Sequence, residues 1–129
     1  MAGQLSNYLE NALINGTLRN TQYNSPALVY LALYTTDPTD ADIGNECSLV
    51  AYARQVITFS VPNDGVSTNL YDIVFPVVTS GSQTITHIGI RDAYTVGNLL
   101  FYAPLAVSRV LVINDQLIIN AGQLLVTLA

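Results

Sequence analysis

Few residues in this 129-residue chain could do chemistry. It has one histidine, His87, one cysteine, Cys47, nine carboxylates and four arginines, and it has no lysine. His87 lies in Thr84-Ile85-Thr86-His87-Ile88-Gly89-Ile90, strand-like text in which its side chain alternates with those of Thr86 and Ile88. No serine or cysteine nucleophile comes with a recognisable elbow, so His87 reads as a structural hydrogen-bonding group. Cys47 falls in an acidic stretch, where neighbouring carboxylates raise a thiol pKa and quench its reactivity. The text contains no phosphate-cradling loop, no His-Glu-x-x-His and no paired Cys-x-x-Cys. These residues predict neither an enzyme nor a cofactor.

The one local cluster is Asp37-Pro38-Thr39-Asp40-Ala41-Asp42-Ile43-Gly44-Asn45-Glu46. Asp40-x-Asp42 opens like a calcium loop, because hard cations take several carboxylate oxygens from one flexible segment. Gly44, however, stands at the third ligand position, and Glu46 comes too early for an EF-hand. A solvated acidic loop, or one facing arginines on a partner, is the plainer reading, and no metal is expected. Eight tyrosines could stack on sugars. Tyr8, Tyr30, Tyr52 and Tyr102 nevertheless lie in patterned segments, where core or interface packing accounts for them.

The elements that would position these groups are mostly strands. Leu5, Tyr8, Leu9, Ala12 and Leu13 recur at helical spacing, with Ser6, Asn7, Glu10 and Asn11 opposite, and Asn15-Gly16 offers a stop. So short a helix must dock its apolar stripe, on its own sheet or on a partner. Beyond it, Leu28–Tyr34 is a continuous apolar run suited to a strand covered on both faces. Ala53, Gln55, Ile57, Phe59 and Val61 alternate with Tyr52, Arg54, Val56, Thr58 and Ser60, predicting a half-buried strand. Further strands are predicted over Leu70–Phe75, Thr84–Ile90, Leu99–Ala103, Val107–Val112, Gln116–Ile119 and Leu124–Leu128, separated by Gly, Pro, Asn and Ser turn signals. This punctuation predicts a mainly β protein, an antiparallel β-sandwich or jelly-roll-like domain with one short N-terminal amphipathic helix. One domain is expected over 1–129, with a helical segment over 1–20 and a β domain over 25–129.

Composition bounds the partners. Net charge of −5 and a pI near 4.3 argue against nucleic acid, which requires a basic patch, and the arginines are scattered. No apolar run reaches the 18 residues of a membrane span, and the N-terminal text lacks a signal peptide's cationic start. By area–mass scaling a 13.9 kDa monomer exposes roughly 6,700 Å², or one charge per ~500 Å². That coat is thin for a solitary protein. Edge strands are normally blunted by lysine, inward charges or proline; here lysine is missing, and Pro62, Pro76 and Pro104 are expected near strand ends only. Much of this surface is expected to be covered by copies of the chain or by another protein.

Five ordered phrases carry a resemblance: LSNYLENALINGTLRNTQYNSP (5–26), VYLALYTTDPTDADIG (29–44), YARQVITF (52–59), THIGIRDAYTVGNLLFYAPL (86–105) and INAGQLLVTLA (119–129). Together they resemble a family of small tailed-bacteriophage virion proteins, often labelled tail fibre proteins. The chain departs from that family's pattern at residues 45–51, where relatives carry a glycine-rich stretch. The resemblance implies a non-enzymatic structural role in the virion, after synthesis in the host cytoplasm. Its first form is a capsid cement or decoration protein, a homo-oligomer (dimer or trimer) at a symmetry axis. It would bind the phage major capsid protein of an HK97-like lattice on its outer surface and clamp neighbouring capsomers. The alternative is a tail-associated part, in a tail fibre, tail tip or baseplate, with host-glycan binding possible. Contacts are expected from Leu5, Tyr8 and Leu9 on the helix, from Asp37, Asp40, Asp42 and Glu46 in the acidic loop, and from Arg54, Arg91 and Arg109, whose planar forks suit interface carboxylates.

Overall fold

A computed structural model describes residues 4–128. The chain runs β1 (Gln4–Leu5), α1 (Asn7–Leu18), β2 (Val29–Tyr34), β3 (Gln55–Ile57), β4 (Val66–Thr68), β5 (Ile73–Val74), β6 (Gln83–Arg91), β7 (Leu99–Leu111), β8 (Ile118–Ile119) and β9 (Leu125–Thr127). A five-stranded antiparallel sheet has the order β1-β7-β6-β2-β3, and β4-β9 and β5-β8 form two short antiparallel ribbons. The protein is mainly β and sandwich-like, as its turn punctuation predicts.

The apolar run of β2 lies between β6 and β3 and is buried from Leu31 to Tyr34, because both faces of the sheet are covered there. Leu31 and Leu33 pair with Ile90 and Ile88 and join the main core, together with Leu100, Ile73, Phe75 and Leu124. Ala32 and Tyr34 belong to a second, smaller cluster with Leu99, flanked by Tyr102. Gly89 makes that cluster possible: a β-carbon there would stand 2.8 Å from the Tyr34 ring and 2.7 Å from Leu99.

Helix α1 differs from its sequence reading at both ends. Leu5 is not helical; it pairs with Phe101 of β7. Ser6, read as part of the polar face, is the buried N-cap. Its hydroxyl accepts from the Leu9 N–H at 3.2 Å and donates to the Leu99 carbonyl, and its own N–H donates to Leu100 at 2.9 Å. The helix also runs through Gly16 to Leu18. The returning chain passes beside Gly16, where a Cβ would meet Tyr23 Cβ at 3.5 Å, an ordinary contact. The turn comes later, at Asn20, with φ of +52°. Leu9 is buried in the chain's own core, whereas Tyr8 is 42% exposed.

Two further strand boundaries are corrected. Only Gln55–Ile57 of the alternating 52–61 segment is a strand: Val61 is exposed, and Arg54 is buried. The predicted strands Leu99–Ala103 and Val107–Val112 are one 13-residue strand with Pro104 inside it. Proline is tolerated because β1 pairs with β7 only at Phe101 and Tyr102, so β7 is an edge strand from there on, and because a bulge follows. Between the pairs His87–Pro104 and Ile85–Arg109, β7 advances five residues while β6 advances two.

The packing of α1 gives a direct prediction. Leu9→Ala is expected to cost about 2–5 kcal/mol in thermal or denaturant unfolding, and Tyr8→Ala about 0.5 kcal/mol. Equal costs would contradict the docking of α1 through Leu9.

Candidate functional site

The acidic loop folds back onto the sheet instead of standing in solvent. Its backbone bonds close on themselves: Thr35 N–H to Asn45 O at 2.8 Å, Ile43 N–H to Pro38 O at 2.7 Å and Cys47 N–H to Leu33 O at 2.8 Å. Gly44 is required there, since a β-carbon would come within 2.6 Å of Pro38 Cα. Asp37 Oδ1 accepts from the Thr39 N–H at 2.8 Å, and the Asp40 carbonyl accepts from the Asn7 N–H at 2.8 Å, tying the loop to the start of α1.

Two buried arginines hold this loop to the β6–β7 connection over residues 92–98. Arg91 uses every N–H of its guanidinium. Nη1 and Nη2 grip the two oxygens of Asp42 at 2.7 and 2.9 Å, and Nη1 also reaches the Tyr34 hydroxyl at 2.9 Å. Nε donates to Val96 O at 3.1 Å and Nη2 to Gly97 O at 2.9 Å. Arg54 is built on the same plan. It is bidentate to Glu46 at 2.8 Å for each bond, and Nη1 donates to Ala93 O at 2.8 Å and Val96 O at 2.9 Å. The Val96 carbonyl is therefore shared by both arginines, with Val96 and Gly97 in the left-handed region. Tyr52 completes the set, donating to Glu46 and accepting from the Leu33 N–H at 3.1 Å.

The electrostatics follow from this geometry. Burial opposes charge on Arg91, but its bonds to Asp42 and Tyr34 outweigh that and raise its pKa. Burial would raise the Glu46 pKa; bonds from Arg54 and Tyr52 win and lower it. Burial raises the Tyr52 pKa, and its hydrogen bond to Glu46 adds to the rise, so it stays a neutral donor. Burial also raises the Cys47 thiol, with Glu46 adding to it, as expected of an unreactive cysteine.

The structure thus brings together Asp42, Glu46, Arg54 and Arg91 of the expected contact residues, and it satisfies them within the chain. The arginines that the acidic loop faces are its own. With both carboxylate oxygens of Asp42 on Arg91, the calcium-loop resemblance of Asp40-x-Asp42 has no ligand set, and the described residues hold no metal-competent cluster of His, Cys, Asp or Glu. Asp37 Oδ1 lies 3.8 Å from His87 Nε2, while His87 Nδ1 is 2.8 Å from the Thr86 hydroxyl. Leu5 and Leu9 pack inward; Tyr8, Asp40 and Arg109 stay exposed.

Residues 4–127 match a family model described as Podophage GP4 fiber I protein gp80. The chain belongs to this phage fibre family. It is a phage structural protein and a virion component. A comparison with curated proteins finds no match. In this fibre-family member, sequence reasoning missed Tyr34, Tyr52 and the carbonyls of Val96 and Gly97. It also missed buried Asn69, whose amide bonds Tyr71 O, Asn120 O and the Leu124 N–H to fasten the β4–β9 ribbon. One signal was present: with so few charges, Tyr52-x-Arg54 places a phenol and a cation side by side near Glu46.

Two predictions follow from the clamps. Arg91→Ala is expected to cost about 3 kcal/mol or more, since it strands Asp42 and two carbonyls, and Arg91→Lys should recover little because an ammonium cannot match the five-donor fork. Denaturant titration measures both. A carboxyl with a lowered folded pKa contributes stability above its ordinary value, 4.5 for Glu46, and loses it as pH falls through the folded value. Glu46→Gln should therefore flatten the acid side of the stability–pH curve below pH 4.5. An unchanged acid limb would contradict the Glu46 assignment.

Proposed function

We propose that this protein is a non-catalytic building unit of a phage tail fibre, acting through standing contacts with other virion proteins. The observation that carries this reading is the family match across residues 4–127 to a protein described as a fibre component. The arrangement of charge supports it. Asp42, Glu46, Arg54 and Arg91 neutralise one another inside the chain, leaving nine charged residues for 7400 Å² of surface, about one per 800 Å². Val61, Val96, Val107 and Leu18 meanwhile stand well exposed. Such a surface suits permanent neighbours, and with the arginines buried and paired, no polar constellation among the described residues stands poised for acid–base or nucleophilic work.

The capsid cement reading uses the same surface properties, with the major capsid protein as the partner. The family description favours the tail. Copy number separates the two, because a decoration protein is present in hundreds per particle and a fibre component in a few to tens. Quantitative mass spectrometry of purified virions, referenced to the major capsid protein, is expected to give a ratio of a few per cent or less. A ratio near one-to-one or one-to-two would overturn the tail assignment in favour of capsid cement.

A further inference from the structure

The two arginines share a plan but not a full count of bonds. Arg91 places all five of its guanidinium N–H groups on acceptors. Arg54 places four: one from Nε, two from Nη1 and one from Nη2. Its second Nη2 hydrogen has no acceptor among the described residues, although the side chain is only 7% exposed. The carboxylate beside it is also incompletely used. Glu46 Oε2 accepts from both Tyr52 and Arg54, whereas Oε1 accepts only from Arg54 Nη2, at 2.8 Å, and keeps a lone pair. A free donor and a free acceptor therefore lie on neighbouring atoms.

Both residues line an open cleft of about 290 Å³ together with Tyr52, Tyr94, Thr95 and Val96. That volume falls at the small end of ligand pockets, which run from ~300 to ~1,000 Å³. One wall is strained. Val96 has φ of +55°, where a β-branched residue is a rare outlier, and it is 81% exposed, so the fold gains little from its side chain there. Both arginines hold its carbonyl and fix the conformation. Strain kept in this way clusters at ligand-binding positions. Tyr94 beside it is exposed yet steadied, its ring packed edge-on against Tyr30 with centroids 5.8 Å apart.

The geometry points to this cleft as a binding site for a neutral saccharide, with a ring hydroxyl on Arg54 Nη2 and Glu46 Oε1 and the sugar's apolar face against Tyr94. The chemistry of the lining selects that class. The Arg54–Glu46 pair cancels its own charge, so an anion meets the carboxylate and a cation meets the guanidinium. A hydroxyl accepts and donates from a single oxygen, which is what a free N–H next to a free lone pair requires. An aromatic wall beside such a pair suits a ligand that is polar at its edge and apolar on its face.

The site does not depend on where in the virion the protein sits. Amide NMR spectra of the full chain are followed during titration with D-glucose, D-galactose, N-acetyl-D-glucosamine and L-rhamnose. At least one is expected to give saturable shifts at Arg54 and Tyr94–Val96, with a Kd on the order of 1 mM, as a small ligand in a shallow cleft gives. D-Glucuronate should bind more weakly than D-glucose. Tyr94→Ala lies on an exposed side chain and should fold while weakening binding about tenfold; Tyr71→Ala, an exposed tyrosine outside the cleft, should leave it unchanged. Val96→Gly separates binding from folding: it relieves the left-handed strain and should raise Tm by about 2–4 °C, while weakening the sugar several-fold. No saturable shift with any of the four sugars, or binding indifferent to Tyr94→Ala, would overturn the inference. Shifts at these amides with N-acetylglycinamide and with none of the sugars would overturn the saccharide in favour of a peptide. Either result would leave the fibre assignment, read from copy number, standing.

Discussion

The Arg91 guanidinium is the constraint around which the rest of this structure is arranged. A cation taken out of water has to find partners for its charge and for every N–H, or the fold loses several kcal/mol. Arg91 finds them in four places: the Asp42 carboxylate, the Tyr34 hydroxyl and the carbonyls of Val96 and Gly97. Arg54 repeats the arrangement with Glu46 and shares Val96. Ion pairs of this kind are weak evidence for net stability, because an apolar replacement often does as well. What they supply here is position: two loops distant in sequence have one arrangement in which the two arginines satisfy eight acceptor oxygens at once.

That positional role links the interior to the surface. By spending half its arginines inside, the chain leaves Arg19 and Arg109 as its exposed cations, and Arg19 is itself bonded to Asn15 at the end of α1. The outer surface is then polar mostly through hydroxyls and amides, with apolar side chains among them. So sparse a coat of charge suits the standing contacts proposed above better than a freely diffusing monomer. The family assignment and the physical character of the surface therefore point the same way, although they come from independent observations.

How much of this was legible in the sequence depended on the range of the interaction. The β2 run and the 84–90 strand were readable because burial on a sheet writes itself as local periodicity. The N-terminal helix was readable from its stripe, but its ends were not. Gly16 looks like a stop, yet the helix continues to Leu18 and turns at Asn20, and Ser6 looks like a polar-face residue until Leu99 and Leu100 are seen to bind it. Pro104 broke one strand into two on paper, because the edge position and bulge that accommodate it are tertiary facts. The clamps were the least legible. Asp42 and Arg91 are 49 residues apart, and no periodicity connects them; the sequence predicts an acidic loop in solvent or against a partner's arginines, whereas Asp42 and Glu46 bond the chain's own.

The central claim is that the two arginines hold the 35–46 and 92–98 segments as one unit. Native-state hydrogen exchange on wild type and Arg91→Met reads this directly, residue by residue. The amides of Ile43, Asn45 and Asn98, each bonded within one of these segments, are expected to lose protection together in the variant. The β2–β6 ladder should keep most of its own. Protection lost in only one loop, or equally across the whole sheet, would contradict the account.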